Sequence, residues 1–304
     1  MLNVIGKRKT YLAVSTILIL AALVCVGVFK FKEGIDFRGG TLWEFKAQNA
    51  SVSDMQDFFA GDLKILDARI IQGSTPDDFL TRFGPETEEN HKTFKSALQS
   101  KYSTFQELSF SSIGPSVGEE LRKNSLVAIA LVLVGISLYI AFAFRKVYRP
   151  ISSWKYGWVT LATLVHDVAI PAGLLAILGH FKGIEIDSNF MVALLVVMGF
   201  SVHDTIVVFD RIRENLLLNR GKFEFGEVIN QSVNQTLARS INTSLTLILV
   251  LFALYFAGPV NLKYFVLTLL VGVITGIYSS IFVASPLLLV WHNLSKSRFG
   301  KGLD

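Results

Sequence analysis

SNFMVALLVVMGFSVHDTIVVF, residues 188–209, decides the reading of this chain: 22 predominantly apolar residues with His203 and Asp204 set into their second half. A helix rises about 1.5 Å per residue, so about 20 apolar residues match the roughly 30 Å of hydrocarbon in a bilayer. Five further runs of this kind lie at 11–29, 125–144, 156–178, 241–257 and 264–291. Six membrane-spanning helices are expected. The run at 241–257 is short, so its helix is expected to begin earlier, near Gln235; the run at 264–291 is long enough to tilt or to enter the interface. Composition agrees: of 304 residues 51% are hydrophobic and 17% charged, and the mean hydropathy is +0.49, a poor fit to an ordinary soluble domain.

Lys7, Arg8 and Lys9 precede the first run as the basic region of a signal peptide would. The run is too long for a signal peptide's apolar segment and no Ala-x-Ala site follows, so it reads as a span. Cys25 is the one cysteine, preceded by Val24 where a lipoprotein site wants a small residue, so neither an intrachain disulfide nor a cysteine metal cluster is expected. Orientation follows from the basic residues near span ends, which are held on the cytoplasmic side. One side carries Lys7, Arg8, Lys9, Arg145, Lys146, Arg149, Lys155, Arg211, Arg213, Arg220, Lys222, Arg239, Lys296, Arg298 and Lys301; the short loops of the other carry Lys182 and Lys263. Both termini are expected in the cytoplasm and residues 31–123 outside. The net charge of +5 is thereby a topology signal and implies no nucleic-acid partner.

Four divisions follow: 1–30, N-terminus and first helix; 31–123, the extracytoplasmic domain; 124–295, helices two to six; 296–304, a cytoplasmic tail. Within the domain, 41–47 reads as a strand, Ser53 opens a helix carrying Met55, Phe58 and Phe59, and strands follow at 64–71 and 78–83. Pro85 with Glu86, Glu88 and Glu89 suits a helix start, continued by Phe94, Leu98 and Tyr102; 104–112 is a last strand. The order β-α-β-β-α-β is ferredoxin-like. His91 is placed on an exposed helix face, and Gly34, Gly39 and Gly40 are read as a hinge or turn after the first span.

No G-x-x-x-x-G-K-[ST] pattern, H-E-x-x-H, dinucleotide fingerprint or G-x-S-x-G elbow occurs, so neither an ATP site, a metal site nor an enzyme is expected. Ionisable residues inside spans are costly and mark pathways. They are His166-Asp167 in the third span and His203-Asp204 in the fourth. Each pair can take and release a proton. A structural reading competes, in which the same groups tie helices together by hydrogen bonds. Asp204 shares a face with Val207, Val208 and Arg211. On the fifth span Arg239, Asn242, Thr243 and Thr246 form a second stripe, in which Arg239 reads either as a charge partner for a carboxylate or as a positive-inside anchor. Gly272 and Gly276 with Ser279 and Ser280 would allow close packing of the last span. Residues 225–237 are partly amphipathic and suited to lying on the membrane surface.

These residues resemble one family over nearly the whole chain: SecF, the smaller subunit of the bacterial SecDF accessory complex of protein export, within the RND superfamily. The resemblance rests on GIDFRGG (34–40), IGPSVG (113–118), GFSVHDTIVVFDRIREN (199–215), NQTLARSINTS (234–244) and IYSSIFVASP (277–286). It singles out Asp36, Arg38, Gly39, Gly40, Gly114, Pro115, Asp210, Arg211, Arg213 and Asn242 as motif residues. It implies a membrane all-α six-helix bundle, half of an RND-type transporter, with one α+β ferredoxin-like extracytoplasmic domain between helices 1 and 2. It also implies the bacterial inner membrane as location, SecD, the SecYEG channel, YajC, YidC and a translocating preprotein as partners, and the proton-motive force, without a bound cofactor, as energy source. Asp204 and Arg239 match the family's proton-conducting acid and arginine, with His203, Asp167 and His166 in the same path. His203 stands where the family more often has Asn, which puts a second titratable group beside the acid. A translocon scaffold without proton conduction and a homodimeric RND-type exporter are the alternatives.

Overall fold

The structure, a computed structural model, describes residues 2–73, 75–145, 152–219 and 223–299; Lys146, Arg149, Arg220, Lys222 and Lys301 of the orientation argument, and the end of the expected tail, lie outside them. In chain order the elements are α1 Arg8–Phe29, α2 Ile35–Arg38, β1 Gly40–Lys46, α3 Val52–Gly61, β2 Arg69–Gln72, β3 Asp78–Phe83, α4 Glu88–Lys101, β4 Gln106–Ile113, α5 Pro115–Ala143, α6 Ser153–Lys182, α7 Ser188–Asn219, α8 Phe225–Ala257, α9 Lys263–Ser279 and α10 Ser285–Phe299. The chain forms two compact units, one from Glu33–Val127 with Glu185–Ser188, the other from the remaining described residues.

In the helical unit six helices are long and apolar enough to cross a membrane, the sixth formed by α9 and α10. A π-helical turn, Ser280–Ala284, joins those two. Pro286 lies one residue into α10; it has no N–H for the carbonyl four residues back and its ring crowds that carbonyl, so the preceding turn widens. The apolar core gathers Ile140, Tyr156, Leu164, Val208, Phe209, Val233, Ile281 and Leu288. α8 starts ten residues before Gln235, and this corrects the reading of 225–237 as a surface segment. Val228, Ile229 and Val233 are buried, while Asn230 accepts from the Val4 N–H (2.9 Å) and Asn234 from the Leu2 N–H (2.8 Å). Its apolar face is spent on protein.

The second unit carries a four-stranded antiparallel sheet in the order β2-β3-β1-β4. Alternation turns Trp43 and Phe45 of β1 and Phe79 and Phe83 of β3 to one face, where Met55, Phe58 and Phe59 of α3 and Leu98 of α4 cover them. α3 opens on a capping box between Ser51 and Asp54, and Thr87 caps α4. β2 is shorter than expected because Lys64 sits at φ 58°, a left-handed conformation no strand continues through, and a turn at Leu66 and Asp67 delays the strand to Arg69. Glu185–Ser188 belong here as well: Gly34 N–H donates to the Ile186 carbonyl (2.8 Å) and Arg82 pairs with Glu185 (2.7 Å). The sequence placed those four residues among the membrane helices.

His91 is buried, against the expectation of an exposed face. It stacks on Phe110 with ring centroids 3.7 Å apart, and its Nε2 donates to Glu107 Oε2 at 2.7 Å. Trp43 Nε1 (3.1 Å) and Lys95 Nζ (3.0 Å) donate to the same carboxylate. The helical period was read correctly, but the polar edge of α4 turns inward because a carboxylate on β4 is there to satisfy it. Burial pushes the Glu107 carboxyl up, yet the hydrogen bonds from His91 and Lys95 outweigh it and hold the group below its usual range. A depressed carboxylate stabilises the fold above its unfolded value, about 4.3, and that contribution is lost as the pH falls through the folded value. This unit is therefore expected to lose stability below about pH 4.3, and Glu107→Gln to flatten that part of the profile. Thermal melts between about pH 3 and 6, read from Trp43 fluorescence with the other tryptophans replaced by Phe, check it.

Candidate functional site

The polar side chains at membrane depth converge on two carboxylates. Asp204 on α7 is 1% exposed. Its Oδ2 accepts from Ser244 Oγ on α8 at 3.2 Å, and its Oδ1 lies 3.5 Å from His203 Nδ1, whose side chain is 67% exposed. Farther along, Arg211 Nε donates to Gln235 Oε1 (2.6 Å) and Asn215 Nδ2 to Ser232 Oγ (2.8 Å). The contacts advance 11 residues on α7, from 204 to 215, while retreating 12 on α8, from 244 to 232. The two helices are thus antiparallel and laced at three levels, with the carboxylate at the innermost.

Asp167 on α6 is fully buried. Its Oδ2 accepts from Ser201 Oγ of α7 (2.5 Å) and Ser279 Oγ of α9 (2.6 Å), and its Oδ1 from His166 Nδ1 (2.8 Å). One side chain joins three spans. Pro171, inside α6, removes the N–H that the Asp167 carbonyl would otherwise receive, so backbone polarity is added at the same depth. His166 Nε2 is buried without a partner, as are the hydroxyls of Thr205 and Ser240. Ser201 stands three residues before Asp204, about 4.5 Å along the helix, so the two carboxylate clusters sit one turn apart on α7. The glycines of α9 permit this approach: a Cβ on Gly272 would collide with Val197, and one on Gly276 would come 3.3 Å from the Ser201 side chain.

Arg239 is not brought to Asp204. It is exposed, with Asn242, Thr243 and Thr246. Ser244, the residue that reaches Asp204, lies five positions on, about 140° round the helix. The buried polar face of α8 is Ser232, Thr236, Ser240 and Ser244, offset from the stripe that spacing suggested. Among the described residues the Arg239 and Asn242 side chains have no hydrogen-bond or ionic partner. Asp210 pairs with Arg213 (2.9 Å) and Arg211 with Glu214 (2.6 Å) at the end of α7. Asp36, Arg38, Gly39, Gly40, Gly114 and Pro115 gather in the other unit. Among the described residues no three His, Cys, Asp or Glu side chains stand close enough to hold a metal ion. Ser201 and Ser244 escaped the sequence reading because single hydroxyls in apolar runs carry no signal of their own; Ser279 had been assigned to packing alone.

Residues 93–294 match the family model described as protein export membrane protein SecD/SecF, C-terminal. The chain is 42% identical to the protein translocase subunit SecF of Thermobaculum terrenum, over 96% of this chain and 95% of that protein. It is 36% identical to the protein translocase subunit SecDF of Thermus thermophilus, over 97% of this chain and 39% of that longer one. The crystal structure of SecDF from Thermus thermophilus, titled a translocon-associated membrane protein, superposes with a TM-score of 0.80 at 34% identity, covering 96% of this chain and 39% of that one.

The Asp167 tie can be weighed by substitution. Asp167→Leu leaves the buried Ser201 hydroxyl without its acceptor, at about 1–3 kcal/mol, and leaves Ser279 only the Gly276 carbonyl of its own helix, whereas Asp167→Asn keeps an amide oxygen for both. Thermal inactivation of the purified protein in detergent is expected to rank wild type, Asn and Leu in that order, with the larger step between Asn and Leu.

Proposed function

This chain belongs to the SecD/SecF family of protein-export membrane proteins, and we propose that it is the SecF subunit of a SecDF complex in the bacterial inner membrane. In this reading it uses the proton-motive force to assist late, ATP-independent translocation of preproteins through SecYEG, and is not itself an enzyme. A role in protein translocation is what its relatives' names share; proton coupling is the finer step. The observation that carries it is Asp204: a buried carboxylate with one hydroxyl donor, flanked by an exposed histidine, on a span. Such a group can gain and lose a proton at membrane depth, and His203 gives it a neighbour of the same capacity facing outward.

SecD as partner is supported by the exposed polar face of α8. Arg239 and Asn242 lie exposed at the start of the apolar run of α8, where a second polypeptide or a water-filled path that meets them relieves the cost of facing lipid. An acid on that partner would give Arg239 the ion pair that Asp204 does not. Asp167 and His166 extend the path through Ser201, one turn from Asp204. SecYEG, YajC, YidC and the preprotein complete the partners, and both termini are assigned to the cytoplasm from the basic residues. We read the second unit as ferredoxin-like, supported by its element order and by the strand order β2-β3-β1-β4.

The energy scale fits. One charge crossing 100 mV supplies about 2.3 kcal/mol, and driving a two-state element from 1:99 to 99:1 takes about 5.5, so a few protons per cycle suffice. Asp204→Asn is expected to abolish gradient-stimulated translocation in reconstituted vesicles while leaving membrane insertion and co-purification with SecD intact. Full stimulation in that variant would sink the proposal and favour a translocon scaffold.

A further inference from the structure

Away from the carboxylate network, an open cleft runs between α5 and α6. Val134, Ser137 and Leu138 of α5 and Trp154, Gly157 and Trp158 of α6 line a cavity of about 180 Å³ there. Its floor is backbone: a Cβ on Gly157 would come 2.7 Å from the Ser137 carbonyl oxygen and 3.5 Å from the Ala141 methyl, so the helices touch at that level. Its walls are the exposed side chains of Val134, Leu138, Trp154 and Trp158. Apart from the Ser137 hydroxyl, whose oxygen is buried without a hydrogen-bond partner, and the indole N–H groups, the lining side chains are apolar.

The two helices end together, since Phe144 stacks on Tyr156 with ring centroids 5.0 Å apart, and polarity is gathered at that end. Along α5, Val134, Leu138, Phe142 and Arg145 follow at i, i+4, i+8 and i+11, all exposed and all on one face. Arg145 closes the stripe: its guanidinium lies 3.8 Å over the Phe142 ring and donates to the Phe142 carbonyl at 3.4 Å, and among the described residues no carboxylate pairs with it. On α6, Trp154 and Lys155 stand in the first turn and Trp158 one turn further in. Tryptophan collects at the headgroup level of a bilayer, where its N–H finds acceptors and its ring stays in hydrocarbon.

Length identifies the occupant. From Val134 to Arg145 the rise is about 16 Å, half of the roughly 30 Å hydrocarbon core and so the depth of one leaflet. Between Val134 and Phe142 nothing on the stripe calls for a polar partner, unlike the exposed Arg239 and Asn242 of α8. We propose that this cleft binds one anionic phospholipid, with an acyl chain between Leu138 and Trp158 and the phosphate at Arg145. Cation, aromatic belt and apolar cleft then meet phosphate, ester and chain in the order in which a lipid presents them.

Contact quenching tests the site. In the full chain with Trp154 and Trp291 replaced by Phe, Trp158 reports on the cleft, while Trp43, 0% exposed in the core of the sheet, gives a constant background. The vesicles contain phosphatidylglycerol or phosphatidylcholine with dibrominated chains, whose bromines quench an indole they touch. Quenching of Trp158 is expected to half-saturate at about fivefold lower mole fraction of the anionic lipid, the effect of one basic residue at an anionic surface. Arg145→Gln is expected to remove most of that preference, and Val134→Phe, which fills the deep end from an exposed position, to weaken quenching by both lipids. A chain that keeps Trp291 in place of Trp158 is expected to show no preference. Equal quenching of Trp158 by the two lipids overturns the proposal, as does an equal preference at Trp291, which marks an anionic annulus without a site. Absence of quenching by either lipid overturns it in favour of a polypeptide covering the cleft. Quenching unchanged in Arg145→Gln and Val134→Phe alike also overturns it.

Discussion

A polar atom at membrane depth has no water to turn to, so protein must supply its partner. In this chain the demand is met most fully at Asp167, where three spans converge on one carboxylate through Ser201, Ser279 and His166. The glycines of α9 and the proline of α6 make sense around that point: small residues let helices approach to hydroxyl-bonding distance, and a missing N–H leaves a carbonyl at the same level. The π turn begins at the residue after Ser279, so the irregular backbone is confined to where side chains are already held.

Asp204 differs in kind. It has one hydroxyl donor at 3.2 Å and an exposed histidine at 3.5 Å, against three donors at 2.5–2.8 Å for Asp167. A carboxylate with few and long bonds is displaced with little disturbance; one that ties three helices moves only by releasing them. Two chemically identical groups that meet α7 one turn apart, Asp204 directly and Asp167 of α6 through Ser201, are thereby held to different degrees, loosely at one and tightly at the other. This distinction weighs on the two roles that the sequence left open for Asp167.

Spans and the sheet were legible because each rests on a short repeat: runs of about 20 apolar residues, and alternation that turns Trp43, Phe45, Phe79 and Phe83 to one side. Asp78–Phe83 was found at both ends. What escaped was long-range pairing of polar groups. His91 looked solvent-facing on its helix because nothing local announces Glu107 sixteen positions later. Arg239 looked like the partner of Asp204 because a stripe at i+3, i+4 and i+7 is equally regular on either face of α8, and only packing picks the face holding Ser244. The pairing of Gly34 with Ile186 spans half the chain, beyond the reach of any periodic signal.

The face of α8 left uncovered also bears on how the helix dissolves. Arg239 and Asn242 are exposed on a helix long and apolar enough to cross a membrane, and a guanidinium and an amide on such a helix carry a desolvation cost that lipid does not relieve. Covering that face removes the cost; leaving it bare keeps it.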